Sequence, residues 1–207
     1  MLILVIFVSE RSLTYARLVM RDGTSTRERI ERKAMELFVV QGVAETTIRD
    51  IAEAAGVAEG ALYRHYEGRD ALILALFQRH YGAFAERLDA VQNAHRGTRA
   101  KLRAMIEECA RVFDSDPVRF QFLLLVQHHS MRRLDPDHAS PVDIVRKVVA
   151  EGMAAGEIAR RDPELAAAWV MGLILQPATF KVYGRLPGPM MPLAGEIADA
   201  CWRVLAS

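Results

Sequence analysis

Cysteine and aromatic residues are scarce in this chain of 207 residues. Its two cysteines, Cys109 and Cys201, cannot frame a disulfide-stapled fold and lack the C-x-x-C spacing of a zinc or redox site. A reducing compartment, the cytoplasm, is therefore the expected location. Aromatic residues make up 7% of the chain, whereas hydrophobic residues make up 51%. No stretch alternates polar and apolar residues for long enough to form a strand, so the sequence predicts an all-α fold.

Signatures of catalysis and of bound cofactors are absent too. The chain has no nucleophile elbow, P-loop, dinucleotide fingerprint or H-E-x-x-H motif, and Cys109 lies within an apolar helical pattern. His128, His129 and His138 have no acidic or cysteine partner at metal-ligand spacing. We therefore expect neither an enzyme nor a metal site, and no cofactor.

Excess positive charge is also lacking. The formal net charge is +1, and residues 20–70 contain 8 Lys and Arg against 10 Asp and Glu, a net charge of −2. The net charge therefore does not indicate a nucleic-acid partner, and any binding to DNA must depend on individually placed cations.

The first 19 residues precede any regular pattern. Leu2 to Val8 is apolar but too short to cross a bilayer, and it lacks the basic start and the cleavage site of a signal peptide. Regular helical periodicity begins only after Met20. We expect residues 1–19 to be a spurious or disordered extension before a true start at Met20, or alternatively a genuine extra helix or arm. No contact with a membrane is expected.

A first amphipathic helix follows. Ser25 or Thr26 provides its N-cap and Gly42 its C-terminal glycine, with apolar residues between them at helical spacing. This segment opens a predicted domain over residues 20–70, which is followed by a larger helical domain over residues 71–207.

Two further short helices complete the first domain. Thr47, with Asp50 three residues later, forms a capping-box pattern that begins the second helix, and Gly56 ends it. The third helix is predicted from about residue 58 to residue 66. Two short helices joined by a tight turn that contains glycine are typical of a helix-turn-helix.

A specific resemblance starts here. Residues 46–66 read T-T-I-R-D-I-A-E-A-A-G-V-A-E-G-A-L-Y-R-H-Y, and residues 68–72 read G-R-D-A-L. Together with the first helix they resemble the signature of the tetracycline-repressor (TetR) family. The resemblance implies a three-helix DNA-binding domain, an α-helical domain that binds an effector, and a homodimer.

The resemblance also implies which residues contact DNA, because recognition helices present their first turn to base edges while flanking groups bind phosphates. These residues are Thr47, Arg49, Ala58, Glu59, Gly60, Ala61, Tyr63, His65 and Arg69. Ala58 replaces the usual serine of the family and loses a cap, and Glu59 stands where a cation is common. Alternatively, Tyr63 is a plain surface aromatic residue, and Arg49 pairs with Glu45 or Glu53.

Beyond residue 95 the resemblance extends to architecture only. It implies a cavity among the middle helices and a dimer interface formed by the last two. Residues 162–183 are mostly apolar all round, and Pro177 is expected to interrupt and kink their helix. The residues expected to line a largely apolar cavity are Phe120, Leu124, Gln127, His128, Trp169, Leu173 and Gln176. The alternative is that these residues only fill the core.

The sequence therefore predicts a transcriptional regulator, most simply a ligand-responsive repressor that binds a palindromic operator as a homodimer and responds to a small apolar effector. The alternative is a helical protein-interaction module that no longer binds DNA, which the negative charge of residues 20–70 favours.

Overall fold

The computed structural model describes residues 25–135 and 138–207, so the expectation about residues 1–19 lies outside the described residues. All regular structure in the described ranges is helical. In chain order the helices are α1 (Thr26–Gln41), α2 (Ile48–Ala55), α3 (Glu59–Tyr63), α4 (Arg69–Asn93), α5 (Thr98–Ser115), α6 (Pro117–Ser130), α7 (Pro141–Ala154), α8 (Pro163–Val182) and α9 (Ala194–Ala206). Two 3-10 helices, Met131–Arg133 and Met191–Leu193, follow α6 and precede α9.

Reciprocal capping bonds set the starts of α1 and α2, as the sequence predicts. Ser25 Oγ accepts from the Glu28 N–H at 3.2 Å, and the Glu28 carboxylate accepts from the Ser25 N–H at 3.0 Å. Thr47 and Asp50 repeat this arrangement at 3.2 and 2.8 Å. Gly56 ends α2 in the left-handed conformation with φ of +65°, which glycine adopts without steric cost.

The third helix is shorter than predicted. It ends at Tyr63 rather than near residue 66, because the N–H groups of His65 and Tyr66 both donate to the Leu62 carbonyl at 2.9 Å. This tight turn redirects the chain toward Gly68, which precedes α4. The expected extent of the helix was therefore wrong by about one turn.

The first hydrophobic core, which we call the head core, joins α1–α3 to other parts of the chain. It includes the first half of α4 as far as Tyr81, and also Phe122 and Val126 from α6. The Phe38 and Phe122 rings stack with their centroids 5.9 Å apart. A boundary after residue 70 therefore falls at the start of α4, while the packing of the head extends into the helices beyond it.

The second core fills the bundle formed by α5 to α9 and the end of α4. Asp116, Ser140 and Asp162 cap α6, α7 and α8, and in each case proline occupies the next position, where its missing N–H has no helical partner to lose. The same two-residue signal, a capping side chain followed by proline, therefore begins all three helices. Because α4 contributes to both cores and is about 37 Å long, it connects the head to the bundle.

Helix α8 departs from expectation at Pro177. The helix continues through this residue as a single α-helix, so the predicted interruption is wrong. Thr179 Oγ1 donates to the Leu175 carbonyl at 2.9 Å one turn away, within the same uninterrupted helix. By length and composition α8 would also pass as a membrane span, but a core helix of a soluble protein has the same composition.

Candidate nucleic-acid interface and effector cavity

The recognition helix α3 shows a clear division between an inner and an outer face. Leu62 is completely buried and Tyr66 nearly so, whereas 55% of Tyr63 is exposed. Glu59 and Gly60 in the first turn are exposed as well. The structure thus brings the expected DNA-contacting residues of α3 to one outer surface, with Leu62 and Tyr66 anchoring the helix on the head core.

The start of α3 is weakly capped. The Ala58 side chain provides no hydrogen bond to the helix, as its identity predicts, and only its carbonyl accepts from the Ala61 N–H, at 2.8 Å. Glu59 places a carboxylate in the first turn, where the positive end of the helix dipole favours it. Ala58 has only a methyl side chain and Gly60 has none. The backbone of this turn is therefore accessible to a binding partner.

A buried carboxylate holds α3 against its neighbours. Glu31 of α1 is 4% exposed and accepts hydrogen bonds from Arg27, from the Tyr66 hydroxyl and from Arg79 of α4. Burial alone would raise the pKa of Glu31, but the bonds from Tyr66, Arg79 and Arg27 lower it below its ordinary value of 4.5. Glu31 therefore stays ionised and ties α1, the end of the recognition helix and α4 together.

The other expected contacts lie beside the recognition helix. Thr47 is exposed, and its hydroxyl donates to Asp50 at 2.7 Å. Arg49 is exposed, and within the described residues it forms no ion pair with Glu45 or Glu53. Arg69 donates from one guanidinium nitrogen to the carbonyls of Ala44 and Thr46, each at 3.2 Å. Part of the guanidinium of Arg69 is thus engaged in holding the turn before α2.

A cavity of about 650 Å³ lies in the bundle, which we call the effector cavity. Its walls come from α4 to α8 and from the 3-10 helix after α6. The lining residues are Tyr81, Phe84, Val112, Phe120, Leu123, Leu124, Gln127, His128, Met131, Arg132, Pro141, Val142, Glu164, Ala168, Met171 and Leu175. Four of the seven expected residues, those contributed by α6, are among them.

The three residues expected from α8 do not line this cavity. Helix α8 turns a different stripe toward it, with Glu164, Ala168, Met171 and Leu175 at helical spacing. Trp169 lies about 100° around the helix from Ala168. Its ring stacks against the Arg161 guanidinium, whose central carbon Cζ lies 4.9 Å from the ring centroid. Trp169 and Leu173 therefore lie outside the walls of this cavity.

Gln176, the third, lies in a neighbouring cavity of about 470 Å³. This second space shares Leu124, Gln127 and His128 with the effector cavity and extends toward Tyr183 at the end of α8. The polar end of α6 therefore borders both spaces.

Few polar groups face the effector cavity. Besides the Tyr81 hydroxyl, which is hydrogen-bonded to Ser140, they are Gln127 and His128 near the end of α6, Arg132 in the following 3-10 helix, and Glu164 on α8. Arg146 pairs with Glu164 at 3.1 Å and with Asp143 at 3.0 Å. Arg132 forms no ion pair with another described residue, so it is the uncompensated cation at this wall. An apolar space with a few polar groups at one side is typical of small-molecule sites.

His138 and Cys109, which were considered for metal binding and nucleophilic chemistry, are engaged within the fold. No group of three His, Cys, Asp or Glu residues in the described ranges could hold a metal ion. His138 Nε2 lies 2.9 Å from the Gln78 carbonyl, a contact within the fold. Burial raises the pKa of the Cys109 thiol to about 12, so it stays protonated near neutral pH.

Helix α8 also carries an exposed, largely apolar stripe. Its buried face consists of small and branched residues, whereas Leu165 and Trp169 are 46% and 36% exposed. Gly172 and Gln176 continue this exposed stripe at helical spacing. In a single chain the stripe therefore remains uncovered.

Comparison with known proteins gives a consistent result. Residues 30–76 match a family model described as "Bacterial regulatory proteins, tetR family". The transcriptional regulator SrpR of Pseudomonas putida is 44% identical over 54 residues, which are 26% of this chain and 25% of that protein. The fatty acid metabolism regulator protein of Bacillus subtilis is 23% identical over 175 residues, 80% of this chain and 88% of the relative. The chain thus matches about a quarter of SrpR but nearly all of the fatty acid regulator.

Solved structures share the whole fold at low identity. The regulator FadR of Bacillus subtilis, in complex with stearoyl-CoA, has a TM-score of 0.69 and 21% identity, covering 84% of this chain and 96% of that one. A putative fatty acid metabolism regulator of Clostridium perfringens has a TM-score of 0.73 and 15% identity, covering 86% and 99%. At this identity the likeness establishes the fold alone.

Proposed function

This chain is a member of the TetR family, and we propose that it is a ligand-responsive transcriptional repressor that binds a palindromic operator as a homodimer. The observation that carries this proposal is the recognition helix, which leaves Tyr63 exposed while Leu62 and Tyr66 anchor it on the head core. The protein acts in the cytoplasm, without a membrane partner.

The DNA contacts in this proposal divide into two groups. The first turn of α3, with Ala58, Glu59, Gly60 and Ala61, enters the major groove, where Glu59 can accept from cytosine N4. Residues around it bind the DNA backbone and fix the register. These residues are Thr47, Arg49, Tyr63, His65 and Arg69.

A homodimer is proposed because one recognition helix reads only half of a palindromic operator. The last two helices, α8 and α9, provide the interface, and the exposed stripe with Leu165 and Trp169 becomes buried against the partner. In such a two-fold dimer the recognition helices must lie about 34–36 Å apart to reach successive major grooves.

The proposed effector has a long apolar chain and an anionic head group, the chemistry of an acyl-CoA. The apolar walls of the effector cavity suit the chain, and Arg132 supplies a cation for the head. Relatives in this fold include a fatty acid regulator in complex with stearoyl-CoA. Phe120, Leu124, Gln127 and His128 remain proposed contacts, joined by Ala168 and Met171 in place of Trp169 and Leu173.

Release of DNA follows from the two helices that contact both the cavity and the head. Helix α4 contributes Tyr81 and Phe84 to the cavity walls and Leu72 to the head core. Helix α6 contributes Phe120 to the cavity walls and Phe122 to the head core. An effector that binds more tightly to a dimer whose recognition helices are wrongly spaced for the operator shifts the equilibrium toward that state and releases the DNA. By reciprocity, operator DNA weakens binding of the effector by the same factor.

A cavity-filling variant tests the effector assignment. We expect Ala168→Phe to bind DNA from upstream of its own gene with wild-type affinity, while the palmitoyl-CoA concentration that releases this DNA rises at least about tenfold. Ala168 is exposed at the cavity wall, so a larger side chain can be accommodated without unfolding. Fluorescence anisotropy of a labelled duplex measures both quantities.

The control is Ala90→Phe, which adds the same side chain at an exposed position near the end of α4. It should leave release unchanged, and free CoA without an acyl chain should release nothing. If wild-type protein binds the duplex and palmitoyl-CoA never releases it, the acyl class is wrong. If Ala168→Phe responds like wild type, the effector binds outside this cavity.

A further inference from the structure

An arginine of the effector domain lies in the DNA-binding head. The 3-10 helix Met131–Arg133 directly follows α6, yet Arg133 lines a groove on the head together with Thr47, Gly68 and Arg69. Thr47 and Arg69 are proposed contacts to the DNA backbone. We infer that Arg133 is an additional phosphate contact, supplied to the operator by the effector domain. This inference rests on the proposed function.

The charges of this groove support the assignment. Glu67 and Asp70 place two carboxylates there, against the guanidinium groups of Arg69 and Arg133. Without Arg133 the groove would carry a net negative charge next to the expected path of the phosphates, and like charges disfavour binding. With Arg133 the formal charges of the groove cancel, so the groove does not repel the phosphates.

Arg133 also differs from Arg69, the other groove cation, in how it is held by the protein. Arg69 is engaged by the Ala44 and Thr46 carbonyls and lies 3.7 Å from the Asp70 carboxylate. Arg133 is exposed and forms no ion pair with any residue in the described ranges. An exposed guanidinium without a protein partner can bind a phosphate oxygen without first breaking an ion pair.

Adjacent arginines of one turn thus face the two sites of the protein. Arg132 lines the effector cavity, and Arg133 lines the groove on the head. A residue that binds phosphate reads no sequence, so its contribution must be equal for operator and unrelated DNA. This property distinguishes the contact from one to a base.

The test measures the affinity of Arg133→Gln for two labelled duplexes between 50 and 200 mM KCl by fluorescence anisotropy. One duplex is the DNA from upstream of the gene, and the other is a scrambled duplex of equal length and composition. We expect both affinities to fall about tenfold at 100 mM KCl. The slope of log K against log salt should fall by about 1.8, or 0.9 for each protomer.

Two further variants complete the test. Arg133→Lys keeps the charge and should restore affinity to within about threefold of wild type. Arg96→Gln removes an exposed arginine beyond the opposite end of α4, about 37 Å away along the helix, and should leave both affinities and the salt slope unchanged. Far-ultraviolet circular dichroism checks that each variant is folded.

The outcomes separate the inference from the proposed function. If wild-type protein binds neither duplex, the proposed function itself fails. If wild type binds and Arg133→Gln keeps its affinity and salt slope, Arg133 is a solvated surface cation and the inference is overturned. Equal losses for Arg133→Gln and Arg96→Gln would also overturn it, since they would show only an effect of net charge.

Discussion

Operator binding is expected to weaken about a hundredfold or more when Tyr63 is replaced by alanine. The side chain is 55% exposed on the recognition helix, so its loss removes a DNA contact from each protomer without opening a cavity. A loss of about 1.4 kcal/mol per protomer already gives a hundredfold effect for a dimer. The free energy of unfolding should change by less than about 0.5 kcal/mol, because the residue contributes little to the core.

Leu62→Ala is the matched control for this experiment. Leu62 adjoins Tyr63 but is completely buried, so its truncation should destabilise the fold by about 2–5 kcal/mol. Thermal melting and gel shifts on both variants separate the two roles. A Tyr63→Ala protein that melts early and binds DNA normally once folded would show that the face assigned to this helix is wrong.

Removing the buried carboxylate of Glu31 should produce the second large effect. Glu31→Ala leaves the Tyr66 hydroxyl without its acceptor and opens space between α1 and α4. We expect a loss of about 2–3 kcal/mol, below the full value for a buried pair because Arg27 and Arg79 are 49% and 40% exposed and can turn to water. Urea unfolding measures this difference.

The same residue makes stability depend on pH. Hydrogen bonds lower the pKa of folded Glu31 below its ordinary value of 4.5, so the unfolded chain takes up the proton first as the pH falls. Its contribution is therefore complete above pH 4.5 and is lost as the pH falls through the folded value. Glu31→Ala should lack this part of the acid sensitivity.

Two variants define what the Glu31 result means. Tyr66→Phe removes only the hydroxyl and should cost about 1 kcal/mol, since the ring stays in the head core. Glu86→Ala removes an exposed carboxylate on α4 and should leave stability within about 0.5 kcal/mol of wild type. A Glu31→Ala protein as stable as Glu86→Ala would contradict the stabilising role of this network.

Local signals predict the head well. Capping residues and glycines act on the backbone within one turn, so the starts at Ser25 and Thr47 and the end at Gly56 can be read from the sequence. The inner and outer faces of α3 follow from the spacing of Leu62 and Tyr66 in the same way. These features need no knowledge of distant residues.

Features that depend on distant residues escape such reasoning. Helix α8 is mostly apolar on every side, so no polar stripe indicates its rotation, and the sequence predicts Trp169 at a cavity wall that Ala168 forms. Glu31 looks like any exposed acid of α1, because its partners Tyr66 and Arg79 lie 35 and 48 residues further along the chain. Arg132 belongs to a turn, and only tertiary packing brings it to the cavity.

A footprinting titration tests the central claim, that this chain is a dimeric DNA-binding regulator, most directly. Purified protein is titrated against the DNA that flanks its own gene, with DNase I as the probe and 50 mM KCl as the starting salt. We predict protection of an inverted repeat whose half-site centres lie one helical turn, about 10 base pairs, or a multiple of it apart, with two protomers per repeat. Protection should weaken steeply as salt rises. A folded protein that protects no sequence beyond what it does on scrambled DNA would contradict the account and leave a helical interaction module as the explanation.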